Sequence, residues 1–158
     1  MPRPHEDMLR VAEILLDGKQ PGPAARRRAA STAYYSVFQR LSALCAWCLS
    51  GSKVSSPEYR RAYRVLDHKQ VRDALSRSAE FNVNLGAPFA RLQDIRQWAD
   101  YNVSTHPDET EAQAGKPFTM GDARKCVIKA REAIEFVDSL DPPSRRRLAV
   151  LLIVRDRR

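Results

Sequence analysis

The chain has 158 residues, 27 of them lysine or arginine, and a formal net charge of +8 at pH 7. This length favours a single domain with a sizeable core. Charged residues interrupt the N-terminus where a secretion signal needs an apolar run, and the longest apolar run, residues 148–154, is too short to span a bilayer. We therefore expect a soluble, cytoplasmic protein without a membrane segment.

The first predicted helix runs from Pro4 or His5 to Leu16, with apolar residues every three or four positions. A short connection rich in proline and glycine follows, which favours an antiparallel second helix. That second helix, over residues 24–49, is the longest helical pattern in the chain, and no proline or glycine interrupts it before Gly51. Its first half is rich in small residues, so we expect the other helices to pack against it.

A third helix is predicted to begin at Pro57, with Ser55 or Ser56 as its cap. The pattern continues or restarts through residues 67–78, where Asp67 is a suitable cap. A less regular segment over residues 78–87 then leads to the fourth helix.

The fourth helix is predicted over residues 88–102, and a polar loop without periodicity over residues 103–117. Thr119 and Asp122 form a shortened capping box for the last core helix. Asp141 and the two prolines after it are predicted to end that helix.

The final segment, residues 142–158, contains six arginines and one aspartate and therefore holds +5 of the net charge. Its apolar centre could form a helix or a strand, and we expect it to be covered by its own domain or by a second subunit. A basic tail favours an acidic partner such as nucleic acid, although a solvated terminus is an equal alternative. The candidate nucleic-acid-binding residues are Arg145, Arg146 and Arg147.

The predicted fold class is therefore all-α: an antiparallel bundle of four to five helices over residues 1–141, followed by the basic tail. Cys45 and Cys48 form a CxxC pair, but a second pair or a ligating histidine pair is missing. Their neighbours are apolar, which is typical of buried thiols. We expect no metal and no other cofactor.

The fourth helix carries the main candidate site. Arg96 lies four residues after Leu92 and three before Ala99, so its guanidinium lies near the apolar stripe and needs a partner. Asp100 is one turn further on, and Tyr101 is beside it. Such a group could hold a phosphate or a backbone carbonyl, or it could be a structural Arg–Asp pair.

Two histidines are candidate catalytic bases, because histidine titrates near neutral pH. His68 begins the restarted third helix, and His106 lies in the polar loop. A metal-independent ribonuclease needs a base for the 2′-hydroxyl and a cation for the phosphate. Arg96 with His68 or His106 could supply both if the fold brings them together, but a cap or a surface position is the simpler interpretation of each histidine.

Three motifs in order resemble the HEPN-domain proteins of bacteria and archaea. AASTAYYSVFQRLSALCAWCL resembles their Ser-Arg-Ala-Tyr-Tyr-Ala-x-Phe signature, and HKQVRDAL resembles their His-Lys/Arg-Gly-Val segment. LQDIRQWADYNV resembles the Leu-x-x-x-Arg-x-x-Ala-Asp-Tyr segment of one branch. The resemblance spans roughly residues 5–140. It implies an up-down helical bundle that commonly dimerises, with the arginine near the dimer cleft.

Many HEPN proteins are RNA-cleaving toxins or defence factors, often encoded beside a small nucleotidyltransferase partner. Their ribonuclease motif is an arginine, commonly followed by a polar residue, and then a histidine after a spacer of four to six residues. Arg96 and Gln97 match its opening, but Tyr101 is among the residues at the histidine spacing, and His106 lies beyond it. The Ala-Asp-Tyr branch is therefore expected to bind or regulate.

The resemblance leads to three functional hypotheses. The first is a homodimeric module of a toxin–antitoxin or defence system that binds RNA, a nucleotide or a protein partner. The second is a metal-independent ribonuclease toxin, and the third is a dimeric scaffold. The resemblance also suggests that Tyr34 or Tyr35 contacts the Arg96 helix. The candidate ligand-binding residues are Arg96, Asp100, Tyr101, Tyr34 and Tyr35.

Overall fold

The computed structural model describes residues 3–51 and 53–154 of the protein. These residues form seven α-helices and no strand, which confirms the all-α prediction. The helices are α1 (Pro4–Ile14), α2 (Pro23–Ser50), α3 (Pro57–Tyr63), α4 (His68–Arg77), α5 (Ala87–Tyr101), α6 (Met120–Ser139) and α7 (Pro142–Ile153). The number exceeds the predicted four to five because the third pattern divides into α3 and α4 and the final segment adds α7. Within the described residues, no helix combines the length and the apolarity that crossing a membrane requires.

Helix α2 is the centre of the fold, as its sequence pattern predicts. It contacts α1, α3, α5, α6 and α7. Small buried side chains in its first half, among them Ala29, Ala30, Ala33 and Ser36, let these neighbours approach closely. The helix ends at Ser50 and is followed by Gly51, whose φ of 78° lies in the left-handed region that glycine adopts without strain.

The predicted helix caps are present. Backbone N–H groups at the starts of α3 and α4 donate to Ser56 (3.1 Å) and Asp67 (2.9 Å). Thr119 and Asp122 form the reciprocal capping box of α6. Asp141 was expected only to end α6, and it also caps α7 by accepting from the Ser144 backbone N–H at 2.8 Å.

A π-helical turn, Asn82–Gly86, occupies the less regular segment between α4 and α5. A β-carbon on Gly86 would lie 2.7 Å from Asn82 Oδ1 and 2.8 Å from the Leu75 carbonyl oxygen. Only glycine fits here, because a methyl group cannot approach a backbone oxygen that closely. The close approach holds the end of α4 against the start of α5.

The segment expected to form a basic tail is helical over Pro142–Ile153 and packs into the bundle. Leu148, Ala149 and Leu152 are buried in the same core cluster as residues of α2 and α6. Burial of this apolar face explains why residues 142–153 do not extend away from the bundle. This apolar face was expected to be covered either by its own domain or by a second subunit, and its own domain covers it. Residues 155–158, with the remaining arginines of the segment, lie outside the described residues.

Candidate functional site

Arg96 joins α5 to α2 through side-chain contacts. Its Nε lies 3.2 Å from Asp100 Oδ2 and donates to the Tyr35 hydroxyl oxygen at 3.1 Å. Nη2 also donates to Tyr35. Burial alone would lower the pKa of Arg96, but the hydrogen bond to Tyr35 and the charge of Asp100 raise it overall, so the guanidinium stays charged. The predicted contact between an α2 tyrosine and the Arg96 turn is therefore present.

Three tyrosine rings surround this guanidinium. The Arg96 Cζ atom is 5.1 Å from the ring centroid of Tyr35, 5.7 Å from that of Tyr101 and 5.8 Å from that of Tyr34. These distances are within the range of cation–π attraction. Tyr34 is fully buried, whereas Tyr101 is 77% exposed, so the cluster extends from the core to the surface.

An open cleft of about 650 Å³ lies beside this cluster. Arg96, Trp98, Tyr101 and Val103 contribute to its lining. Arg27 lies over the Trp98 ring at 4.1 Å and donates to the Asn102 carbonyl oxygen at 2.6 Å, which fixes the chain just after α5. The Arg27 contact was not predicted, because 75 residues separate the two partners in sequence.

His68 lies against the same two α2 tyrosines as Arg96. Its Nδ1 is 2.7 Å from the Tyr34 hydroxyl oxygen, and its ring stacks on Phe38 at 3.9 Å and approaches Tyr35 at 6.2 Å. Burial and, to a lesser extent, the positive charge of Arg96 lower the pKa of His68, although Asp67 opposes them. Burial raises the pKa of Tyr34, so its hydroxyl group stays protonated.

His106 lies in a different environment from Arg96. Its ring packs against Phe118 at 5.9 Å, its Nδ1 accepts from the Asp108 backbone N–H at 3.0 Å, and its Nε2 is 3.7 Å from Asp122. In the described part of the chain, no hydrogen bond or ion pair joins His106 to Arg96. Of the two histidines predicted as partners of Arg96, the fold brings His68 into its cluster and keeps His106 apart.

The three candidate nucleic-acid-binding arginines at the start of α7 have different surroundings. Arg145 Nη2 donates to the Asp138 carbonyl oxygen at 2.7 Å, and Arg147 forms an ion pair with Glu80 at 2.7 Å. Arg146 is exposed, and it has no hydrogen bond or ion pair within the described residues. Two of the three guanidinium groups therefore bind within the chain.

From the sequence, no metal was expected at the CxxC pair of Cys45 and Cys48. Cys45 is buried and Cys48 is partly buried on α2, and burial raises the pKa of both thiols. Among the described residues, no group of three or more histidine, cysteine, aspartate or glutamate side chains is arranged to hold a metal ion.

The comparisons with known proteins give no match to a protein-family model, to a curated protein or to a solved structure. The HEPN resemblance therefore remains a prediction from three motifs.

Proposed function

We propose that the protein binds single-stranded RNA at the cleft beside Arg96. The observation that carries this proposal is the exposed Tyr101 ring next to a guanidinium that stays charged. Sites for single-stranded nucleic acid combine cations that follow the backbone with aromatic rings on which bases stack. The net charge of +8 would attract the strand from a distance and make binding weaker at high salt.

The test is fluorescence anisotropy of a short labelled single-stranded RNA with the full chain. Tyr101→Ala should weaken binding by about 1 to 3 kcal/mol, the usual contribution of one stacked base, whereas Tyr101→Phe should bind as the wild type does. Arg96→Ala should also weaken binding. Arg77→Ala is the matched charge control, because Arg77 is exposed and, among the described residues, its guanidinium donates only to the Asp73 carbonyl oxygen of its own helix. Wild-type affinity in Tyr101→Ala would refute the proposal.

A metal-independent ribonuclease remains a second candidate, favoured by the position of His68 beside the Arg96 cluster. A base with a lowered pKa is unprotonated at neutral pH and can accept the proton of a 2′-hydroxyl. For His68 Nε2 to act as the base, it must not hold the ring proton. The proton must then lie on Nδ1 and be donated to the Tyr34 hydroxyl oxygen.

This candidate predicts RNA cleavage in EDTA that is lost in both His68→Ala and Arg96→Ala. Lys69→Ala is a suitable control, since Lys69 is exposed and adjacent in sequence. Histidine NMR should find the Nδ1–H tautomer of His68. If the wild type leaves RNA intact with and without metal ions, the ribonuclease candidate is wrong.

In the third hypothesis, a homodimeric scaffold, the surface around Tyr101 contacts a second subunit instead of RNA. Tyr101 and Val103, which is 98% exposed, would then be covered by a second copy of the chain. Light scattering would give twice the chain mass of 17.9 kDa, and Val103→Asp would separate the two copies. A monomer that binds RNA through Tyr101 would refute the scaffold.

A further inference from the structure

A second cleft lies between α5, the loop before α6 and the first turns of α6. Its volume is about 260 Å³, and four basic side chains and His106 contribute to its lining. The basic residues are Arg91, Lys116, Lys125 and Lys129. We propose that this cleft, which we name the phosphate cleft, binds a phosphate group. The proposal is independent of RNA binding at Arg96.

The phosphate cleft has an excess of positive charge. Lys125 and Lys129 lie one turn apart on α6, and Lys116 approaches from the loop. Within the described residues none of these three ammonium groups forms a hydrogen bond or an ion pair. Like charges four residues apart on a helix repel each other. An anion in the cleft would offset this repulsion.

The two carboxylates that line the cleft already have other partners. Asp108 pairs with Arg91 through two hydrogen bonds of 2.8 and 2.5 Å, and this contact lowers the pKa of Asp108. Asp122 accepts from the Thr119 backbone N–H at 2.9 Å and from its hydroxyl group at 2.8 Å. Burial alone would raise the pKa of Asp122, but these bonds lower it overall. Four cations therefore face two carboxylates, neither of which forms an ion pair with a lysine.

His106 adds a hydrogen-bond donor to the phosphate cleft. Its side chain is only 6% exposed. Because a backbone N–H can only donate, the bond from the Asp108 N–H makes Nδ1 an acceptor, and the proton of the neutral ring lies on Nε2. The nearest carboxylate, on Asp122, is 3.7 Å away, which is longer than a hydrogen bond. Within the described residues, the Nε2–H group therefore has no hydrogen-bond partner and is free to donate to a ligand in the cleft.

A phosphate group matches this arrangement better than a carboxylate does. Its oxygens point in several directions, so it can accept from Nε2–H and from lysines that approach from two elements, and lysine binds phosphate as a point charge. The excess of two positive charges matches a phosphate dianion. Phe118 and Cys126 form an uncharged part of the lining, where burial raises the pKa of the Cys126 thiol to about 11. This apolar wall lowers the local dielectric and strengthens attraction to an anion.

The experiment titrates inorganic phosphate into the full chain and follows binding by calorimetry and by the His106 side-chain NMR signals. The wild type should bind, with a shift of the Nε2–H signal. The double variant Lys125→Ala/Lys129→Ala should lose at least about tenfold in affinity, because it removes two charge-assisted contacts. Arg124→Ala is the matched control on the same helix, since Arg124 lines a different groove beside Glu13, and it should change affinity by less than about twofold.

Two results would overturn the proposal: no phosphate binding by the folded wild type, or equal affinity in the wild type and the double lysine variant. Thermal unfolding shows that each variant is folded. His106→Gln gives a separate readout, because it should weaken phosphate binding without changing the charge of the lysines.

The source of the phosphate can be identified with two RNA strands of one sequence, one with a 5′-phosphate and one with a 5′-hydroxyl group. Tighter binding of the phosphorylated strand, lost in the double lysine variant, would assign the cleft to nucleic acid. Equal binding of both strands, with inorganic phosphate still bound, would assign it to a free phosphate compound. Tyr101→Ala should leave inorganic phosphate binding unchanged, so this proposal and the RNA proposal can fail separately.

Discussion

Replacing Tyr35 with phenylalanine removes the oxygen that accepts two hydrogen bonds from Arg96 and keeps the aromatic ring. Hydrogen bonds to a charged group contribute about 1.5 to 3 kcal/mol net. Arg96 would keep its ion pair with Asp100 at 3.2 Å, so it is not left wholly unpaired. We therefore expect Tyr35→Phe to lower the free energy of unfolding by about 1 to 2 kcal/mol.

Urea unfolding measures this loss directly, and the melting temperature should fall by about 3 to 6 °C in a domain of this size. Tyr63→Phe is the matched control, because Tyr63 is half-buried and its ring packs against Tyr59 at 6.2 Å. No hydrogen bond of its hydroxyl group is present in the described residues. An equal effect of the two substitutions would refute the view that the Tyr35 oxygen anchors Arg96.

Three further predictions concern the fold. Gly86→Ala should destabilise by about 1 to 3 kcal/mol in urea unfolding because its methyl group would overlap the Leu75 carbonyl. Gly22→Ala, where nothing lies within 4 Å of the new methyl group, should not. Leu148→Ala should lower the free energy of unfolding by about 2 to 5 kcal/mol, and Val150→Ala, at an exposed position of the same helix, by much less. Equal losses in the two variants would show that α7 is not part of the core. Because the folded-state pKa of His68 lies below its ordinary value of 6.5, stability should fall as pH decreases below that value. His68→Gln should reduce this pH dependence.

Local signals in the sequence predicted the helices well. Asp67 and the Thr119 capping box act within three residues, so their spacing alone specifies the contact. For the third helix the sequence left Ser55 and Ser56 as alternatives, and Ser56 is the cap. The Arg96–Asp100 pair is local in the same way, since residues four apart share one helix face. The helical form of residues 142–153 was left open, because a short apolar run has no periodicity that separates a helix from a strand.

Residue spacing could not predict the contacts that define both clefts, because they join distant parts of the chain. The contact of an α2 tyrosine with the Arg96 helix was suggested by the HEPN resemblance alone. His68 is 34 residues from Tyr34, and Arg96 is 61 residues from Tyr35. Only the packing of α5 against α2, and of α4 against α5, brings them together. The phosphate cleft was missed for the same reason: Lys125 and Lys129 have a helical spacing, but nothing in the sequence indicates that the loop with His106 folds over them.

Replacing Asp100, the ion-pair partner of Arg96, tests whether Arg96 binds a ligand or only stabilises the fold. A phosphate that approaches Arg96 must compete with the Asp100 carboxylate, whose side chain is partly exposed. Asp100→Asn removes that competing charge and keeps the side-chain shape. If Arg96 contacts RNA, this variant should bind RNA about two- to fivefold more tightly in fluorescence anisotropy, as expected for one partly exposed charge. Its free energy of unfolding should fall by about 1 kcal/mol or less. Unchanged RNA affinity with the same loss of stability would make the Arg96–Asp100 pair structural and leave Tyr101 to bind alone.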